Sequence, residues 1–168
     1  NIGLHKYAAA HQVKVLCAAV GDRNVLELMQ KEGMILGGEQ SGHIIFLEHM
    51  TTGDGQLAAL QLLQILCSSE QSLAELCAEI PRYPQVLINV PGPVSNADKA
   101  ALIESEAMQR IIAEGAQRLG GDGRILVRPS GTEALIRVMV ESSDASLAQT
   151  VASDVSKMVE TIQKSGNI

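Results

Sequence analysis

The period of the hydrophobic positions changes several times along this chain. Residues 3 to 11 predict a short helix. VKVLCA, at 13 to 18, is apolar and partly β-branched, and predicts a buried strand. Asp22 is placed to cap a helix that gathers Val25, Leu28 and Met29 on one face, and Gly33 is placed to end it. MIL, at 34 to 36, opens a strand that runs into GGEQSGH, and IIFL, at 44 to 47, gives a second. TTGDGQ reads as a turn feeding a helix from Gln56 to about Ser68. Leu57, Leu60, Leu63 and Leu66 lie three apart there, widened by Ala58, Leu62 and Ile65. SLAELCAEI predicts another short helix.

PRYPQ, at 81 to 85, holds two prolines and breaks the helical pattern, which places a domain boundary between 1–82 and 83–168. The order then changes. QVLINV is a strand, 97–119 a helix or helix pair opened by Ser95 and Asp98, and 124–128 and 135–140 are two more strands. Asp144 caps a final helix that presents Leu147, Val151, Val155, Val159 and Ile162 at helical spacing and ends before Gly166. A β-α-β-β-α order with antiparallel pairing predicts a small α+β domain with two helices on one face of a sheet, following an α/β first half.

Composition narrows this picture. Among 168 residues only 2% are aromatic (Tyr7, Phe46 and Tyr83), so the core must be aliphatic. A net charge of -6 argues against general affinity for nucleic acid or anionic membrane, and no apolar run reaches the length of a membrane span. No secretory signal is legible, which predicts a cytoplasmic location. Cys17, Cys67 and Cys77 match no zinc or redox spacing and read as small buried hydrophobes.

Against that acidic background, RILVRPSGTEALIRVMVE (124–141) stands out. If PSGTEA closes the hairpin symmetrically, Arg128 pairs with Leu135 and Leu126 with Arg137. Ile125, Val127, Ile136 and Val138 then share the core face. Arg128 and Arg137 fall on the other face as diagonal neighbours. Two guanidiniums with Ser130, Thr132 and the N–H of Gly131 would make a phosphate cradle. The same residues would equally make a plain hairpin, its arginines solvated or paired to Glu133. GGEQSGH (37–43) is neither a P-loop, since His43 stands in place of the lysine, nor a dinucleotide fingerprint. Glu39, Ser41 and His43 lie at i, i+2 and i+4, on one side of an extended chain. A carboxylate, a hydroxyl and an imidazole suit a polyhydroxylated ligand, with the histidine able to move a proton; a polar turn with a structural histidine is the alternative. In VGDRN (20–24), Arg23 at a helix start points to an anion or a site facing it.

Together, and in this order and spacing, VGDRN, GGEQSGHIIF, TTGDGQL and GRILVRPSGTE resemble the C-terminal half of the α-D-phosphohexomutases, closest to the bacterial phosphoglucosamine mutase branch. The resemblance spans nearly the whole chain. It implies a third domain, incomplete at its N-terminus, that reads the sugar, and a fourth that grips the non-reacting phosphate. Family members pass a phosphoryl group between a phosphoserine and the sugar phosphate through a bisphosphorylated intermediate. They hold Mg²⁺ on an aspartate-rich loop. Neither the serine loop nor the metal loop matches anything here, so metal ligands would lie outside this chain. The resemblance further implies that Glu39 and Ser41 bind sugar hydroxyls and that His43 transfers or orients a proton. Asp22 and Arg23 would line the cleft, and Arg128, Ser130, Gly131, Thr132 and Arg137 would bind the distal phosphate. Two positions depart from the pattern: Ala134 where proline is usual, and Asn24 where an aromatic is common. The implied partners are a phosphorylated hexosamine, the remaining domains of the same protein and a second copy in a homodimer. A phosphoglucomutase or phosphomannomutase, or a non-catalytic sugar-phosphate binding module, are the competing readings.

Overall fold

The computed structural model describes residues 1–165. They form two compact units: Tyr7–Ile80, and Asn1–Lys6 together with the chain from Pro81 onward. The division falls inside the first helix, α1 (Ile2–Ala10).

In the first unit, α2 (Asp22–Glu32) leads into an antiparallel pair, β1 (Leu36–Gly38) and β2 (Ile44–Phe46), with Gly37 opposite Ile45. Two helices follow, α3 (Gly55–Ser68) and α4 (Leu73–Ala78). Local chemistry explains the boundaries. Asp54 Oδ1 accepts the N–H groups of Gln56 (2.8 Å) and Leu57 (2.9 Å), satisfying two donors that the first turn of α3 leaves unpaired. Ser72 and Glu75 cap α4 reciprocally. The α2 helix ends at Gly33, whose N–H donates to the Met29 carbonyl.

Several expectations for this unit are overturned. Residues 13–18 form no strand, and Val13 and Leu16 are exposed. A strand requires a ladder partner, and residues 13–18 belong to neither of the sheets that the described residues form. Asp22 is the first residue of α2 and not its cap; its Oδ1 accepts the Arg23 N–H, and Gly21 occupies the cap position without a side-chain bond. The apolar face of α3 is open: Leu60, Leu62, Leu63 and Ile65 are all exposed. The only strands described in this unit are three residues each, too short to cover a 14-residue helix. For the same reason the cysteines are exposed rather than buried, and none is in a disulfide.

The second unit is an antiparallel sheet with helices on one face. Its strands are β3 (Gln85–Pro91), β4 (Gly123–Pro129) and β5 (Leu135–Ser142), in the order β3-β5-β4. Helices α5 (Asn96–Glu104) and α6 (Glu106–Leu119) connect β3 to β4 through a 3₁₀ turn at Gly120–Asp122, and α7 (Ala145–Ser165) closes the unit. Asp144 caps α7 as expected, accepting from Ser146 and Leu147; its expected stop before Gly166 lies outside the described residues. Val90, Ile136, Val138 and Val140 face Leu102, Met108, Val151, Val155 and Val159 in one aliphatic core. Strand alternation sends the neighbouring side chains to the other face, where Leu87 and Leu126 are exposed.

The β4–β5 register differs from the symmetric closure by two residues. Arg128 lies opposite Arg137, Leu126 opposite Met139 and Pro129 opposite Ile136. Pro129 stays in the strand because β4 is an edge strand. The Ser130 N–H donates to the Leu135 carbonyl (2.9 Å), so position 129 points its missing N–H away from β5, where no ladder bond is lost. The turn is therefore Gly131–Ala134. A two-residue slip preserves side-chain facing, so the predicted core face survives while the arginines move from diagonal to directly opposed.

Candidate functional site

Two polar clusters are assembled, one in each unit. In the first unit three loops meet. Gly21 donates its N–H to Glu39 Oε1 (2.8 Å), and Ser41 Oγ donates to Glu39 Oε2 (3.4 Å). The Gly53 N–H donates to His43 Nε2 (3.0 Å), and Asp22 Oδ2 lies 3.8 Å from the same nitrogen. A backbone N–H can only be a donor, so His43 Nε2 is the acceptor in this bond. The residue at 53 must be glycine for this approach: a Cβ there would lie 2.3 Å from Nε2. Gly42, His43, Ile44, Gly53, Asp54, Gly55 and Ala58 line a recess beside the imidazole.

Glu39 and Ser41 meet through their side chains and the His43 ring is held by Gly53, but not by extended alternation. Residues 39–43 are a tight turn in which the Gly42 N–H donates to the Glu39 carbonyl (3.0 Å) and the Glu39 N–H to the His43 carbonyl (2.9 Å). Gly42 takes φ 92°, a left-handed conformation that favours glycine. Arg23 does not join the cluster: its guanidinium is exposed and pairs along α2 with Glu27 at 2.9 Å.

In the second unit, the helix-free face of the sheet carries side chains in rows across the three strands. One row is Asn89–Arg137–Arg128. Arg137 and Arg128 form a hydrogen-bonded pair, with Cα atoms about 5.5 Å apart; Arg137 and Asn89 form a non-hydrogen-bonded pair, whose side chains sit closer. Like charges directly opposed are unfavourable without an anion. One carboxylate answers part of this charge. Glu133 Oε2 accepts from Arg137 Nη2 (3.2 Å) and from Ser130 Oγ (3.5 Å). Arg128 has no ion pair or side-chain hydrogen bond among the described residues, and Arg137 Nε is buried without a partner. Gly131 and Thr132 are exposed in the turn, whereas Ser130 is buried.

Two residues beside this loop were missed by the sequence reading. Asn89 enters through the register of β3, which a sequence does not display. Lys99, in the first turn of α5, is 2% exposed. Its Nζ donates to the carbonyls of Ser130 (2.8 Å) and Glu133 (2.6 Å) and to Asn96 Oδ1 (3.3 Å). A lysine at a helix N-terminus opposes the helix dipole, and that misfit was the available signal. Among the described residues no group of three or more His, Cys, Asp or Glu side chains could hold a metal ion, and no helix is long and apolar enough to cross a membrane.

Comparison with known proteins places these features in a family. A model described as phosphoglucomutase/phosphomannomutase, alpha/beta/alpha domain III, matches residues 1–83, and one for the C-terminal domain of the same family matches 87–158. A phosphoglucosamine mutase from Carboxydothermus hydrogenoformans is 50% identical over 96% of this chain, and one from Halalkalibacterium halodurans is 46% identical over 95%. The chain spans 35% of the length of each. In fold it resembles Aspergillus fumigatus N-acetylphosphoglucosamine mutase, solved in complex with GlcNAc-6P and magnesium, at a TM-score of 0.70 and 18% identity. That likeness covers 93% of this chain and 38% of the other. The chain therefore belongs to the phosphoglucomutase/phosphomannomutase family, of which it carries the C-terminal domains III and IV.

Proposed function

We propose that this chain is the sugar- and phosphate-binding part of a phosphoglucosamine mutase. The parent enzyme interconverts glucosamine 6-phosphate and glucosamine 1-phosphate through a phosphoserine and a bisphosphorylated intermediate. Residues 1–82 read the sugar and 83–168 hold the phosphate that is not reacting. The observation that carries this reading is the directly opposed pair Arg128 and Arg137 at the mouth of the 131–134 turn, with one carboxylate, Glu133, paired to Arg137 and none to Arg128. A phosphate monoester supplies about -1.5 to -2 charges at neutral pH and three acceptor oxygens, which two arginine forks can bind bidentately. Thr132, Ser130 and the Gly131 N–H add neutral donors. Glu133, which bridges Arg137 and Ser130, stands in for part of that anion.

In the sugar-reading cluster, Gly21 and Ser41 fix both oxygens of Glu39, which leaves its remaining lone pairs to accept from sugar hydroxyls. His43 orients the reacting hydroxyl and exchanges a proton with it. Taking a proton on Nε2 costs the Gly53 hydrogen bond, and Asp22 at 3.8 Å is the carboxylate that steadies the imidazolium. The magnesium of the family has no cluster to bind among the described residues, and no step is assigned through it. The amino-sugar assignment rests on the names of the 46–50% identical relatives.

The cradle is tested with the 168-residue chain. Arg128→Ala and Arg137→Ala are each expected to weaken binding of glucosamine 6-phosphate, by roughly 10- to 150-fold for the loss of 1.5–3 kcal/mol of charge-assisted bonding. The unfolding midpoint should stay in place. Unchanged affinity in both variants overturns the cradle. Relative rates of the intact parent enzyme on glucosamine, glucose and mannose phosphates separate the phosphoglucosamine mutase from a phosphoglucomutase or phosphomannomutase.

A further inference from the structure

We propose that Lys99 is the positioning residue of the phosphate loop and the buried counter-charge to the phosphate it holds, a role that rests on the cradle reading above. Lys99 lies 2% exposed beneath the loop, and all three of its acceptors are neutral: two carbonyl oxygens and the Asn96 side-chain amide oxygen. No carboxylate lies within ion-pair distance of it among the described residues. Burying an ammonium costs several kcal/mol, and neutral acceptors return only part of that. The position is therefore short of one anion.

The backbone geometry says where that anion sits. In a trans peptide the C=O and the following N–H point in opposite directions. Lys99 draws the carbonyls of Ser130 and Glu133 inward, at 2.8 and 2.6 Å. The N–H groups of Gly131 and Ala134 are thereby turned outward, on the exposed side of the loop. Neither donates to any acceptor among the described residues. One ammonium thus aims two backbone donors at the space flanked by Arg128 and Arg137. Charge agrees with geometry. The loop gathers three cations, Arg128, Arg137 and Lys99, against one carboxylate, Glu133, which pairs with Arg137 alone, and a phosphate monoester dianion neutralises the excess. Lys99 acts through the loop and touches no part of the ligand.

The test uses the 168-residue chain and inorganic phosphate as the probe, with affinity measured by calorimetry and loop geometry by the amide resonances of Gly131 and Ala134. Lys99→Met keeps the aliphatic stem and removes the charge. It is expected to weaken phosphate binding about tenfold or more and to move both amide resonances before any phosphate is added. Lys99→Arg is expected to recover part of the affinity. Arg128→Ala is the contrast: it weakens binding but leaves the ligand-free amide resonances in place. In the wild-type chain the Lys99 ammonium nitrogen resonance is expected to shift as phosphate saturates, a readout that depends on no variant folding. Wild-type affinity in Lys99→Met, or an ammonium resonance unmoved at saturation, overturns the proposal while Arg128→Ala still reports an intact cradle. Absence of saturable phosphate binding in the wild type overturns the cradle and the proposal together.

Discussion

Asp122 gathers more side-chain donors than any functional candidate. Its carboxylate accepts from the Lys6 ammonium, the Ser143 hydroxyl and the Tyr83 hydroxyl, the last at 2.9 Å. These donors, led by Lys6, hold its pKa down from 3.8 to about 2. Glu141 is a second case. Burial alone would raise it, but the Arg124 guanidinium at 2.6 Å and the Ile2 N–H more than offset burial and set it below its ordinary value. A carboxyl whose folded pKa is depressed adds stability above its unfolded pKa and loses it as pH falls through the folded one. The unit that holds both should therefore lose stability from about pH 4 down to about pH 2. Asp122→Asn is expected to lower the thermal midpoint at neutral pH and to flatten the fall across that window, leaving the Glu141 contribution. A midpoint curve parallel to wild type between pH 5 and pH 2 refutes the assignment. A second residue-scale prediction concerns Gly53. The Cβ of Gly53→Ala would press on the His43 ring, 2.3 Å from Nε2 and 2.4 Å from Cδ2. The ring must swing out and lose the Gly53 N–H bond. The His43 ring-nitrogen resonances should move toward those of a solvated histidine, while the core resonances of β5 and α7 stay in place.

At the scale of elements, the sequence was most legible where one face of a strand or helix meets a continuous core. The β-branched positions of β4 and β5 and the spacing along α7 announced the core-facing sides: Ile136, Val138, Val151, Val155, Val159 and Ile162 are buried, and Ile125, Val127 and Leu147 pack half-buried against them. The two arginines on the opposite face were legible by the same alternation. Their direct opposition was not, because register turns on how the loop closes, and Pro129 was taken for part of the turn. The one-sided extended chain expected at Glu39, Ser41 and His43 is replaced by a Gly42-dependent turn, in which Ser41 meets Glu39 and the His43 ring meets Gly53. The roles of Lys99 and Asn89 come from contacts more than thirty residues away in sequence, so Asn89 was illegible and Lys99 showed only as a lysine misplaced at a helix N-terminus. Capping was readable to the residue at Ser95 and Asp144. At Ser105 one side chain serves two helices: Oγ donates to the Leu102 carbonyl (2.7 Å) at the end of α5 and accepts from the Met108 N–H (3.4 Å) at the start of α6. Ser105→Ala is expected to cost about 1 kcal/mol, typical of a lost N-cap, measured by denaturant unfolding with an unchanged slope. Ser105→Asp should recover only part of the loss, because a carboxylate accepts from the Met108 N–H but cannot donate to the Leu102 carbonyl.

For the whole molecule, the decisive contrast is where burial is found. Every residue of the aliphatic core cluster lies between Val90 and Ile162, in the second unit. In the first unit the buried apolar side chains are Ala8, Met29 and Ile45, while Leu60, Leu62, Leu63 and Ile65 of α3 and Val13, which lies outside both sheets, face outward. The strand expected at 13–18 and the buried face expected of α3 fail for one reason. Their sequences carry the pattern of a core, and the described residues supply no layer to complete it. Local opening free energy follows buried apolar contact and protected hydrogen bonds. The two units should therefore separate by hydrogen exchange. Amides of β5 and α7 are expected to exchange only through global unfolding of their unit. Those of α3 should exchange through low-energy local opening. Uniform protection across α3 and α7 would sink this division. The same contrast bears on activity. The chain carries the folded unit that holds the proposed phosphate cradle but spans 35% of its curated relatives, and no group of described residues could hold a metal ion. The purified 168-residue chain is accordingly expected to bind phosphate through the Arg128–Arg137 loop with no conversion of glucosamine 6-phosphate to glucosamine 1-phosphate. A coupled assay for the 1-phosphate checks this, and measurable turnover would show that the chemistry needs no residues beyond these.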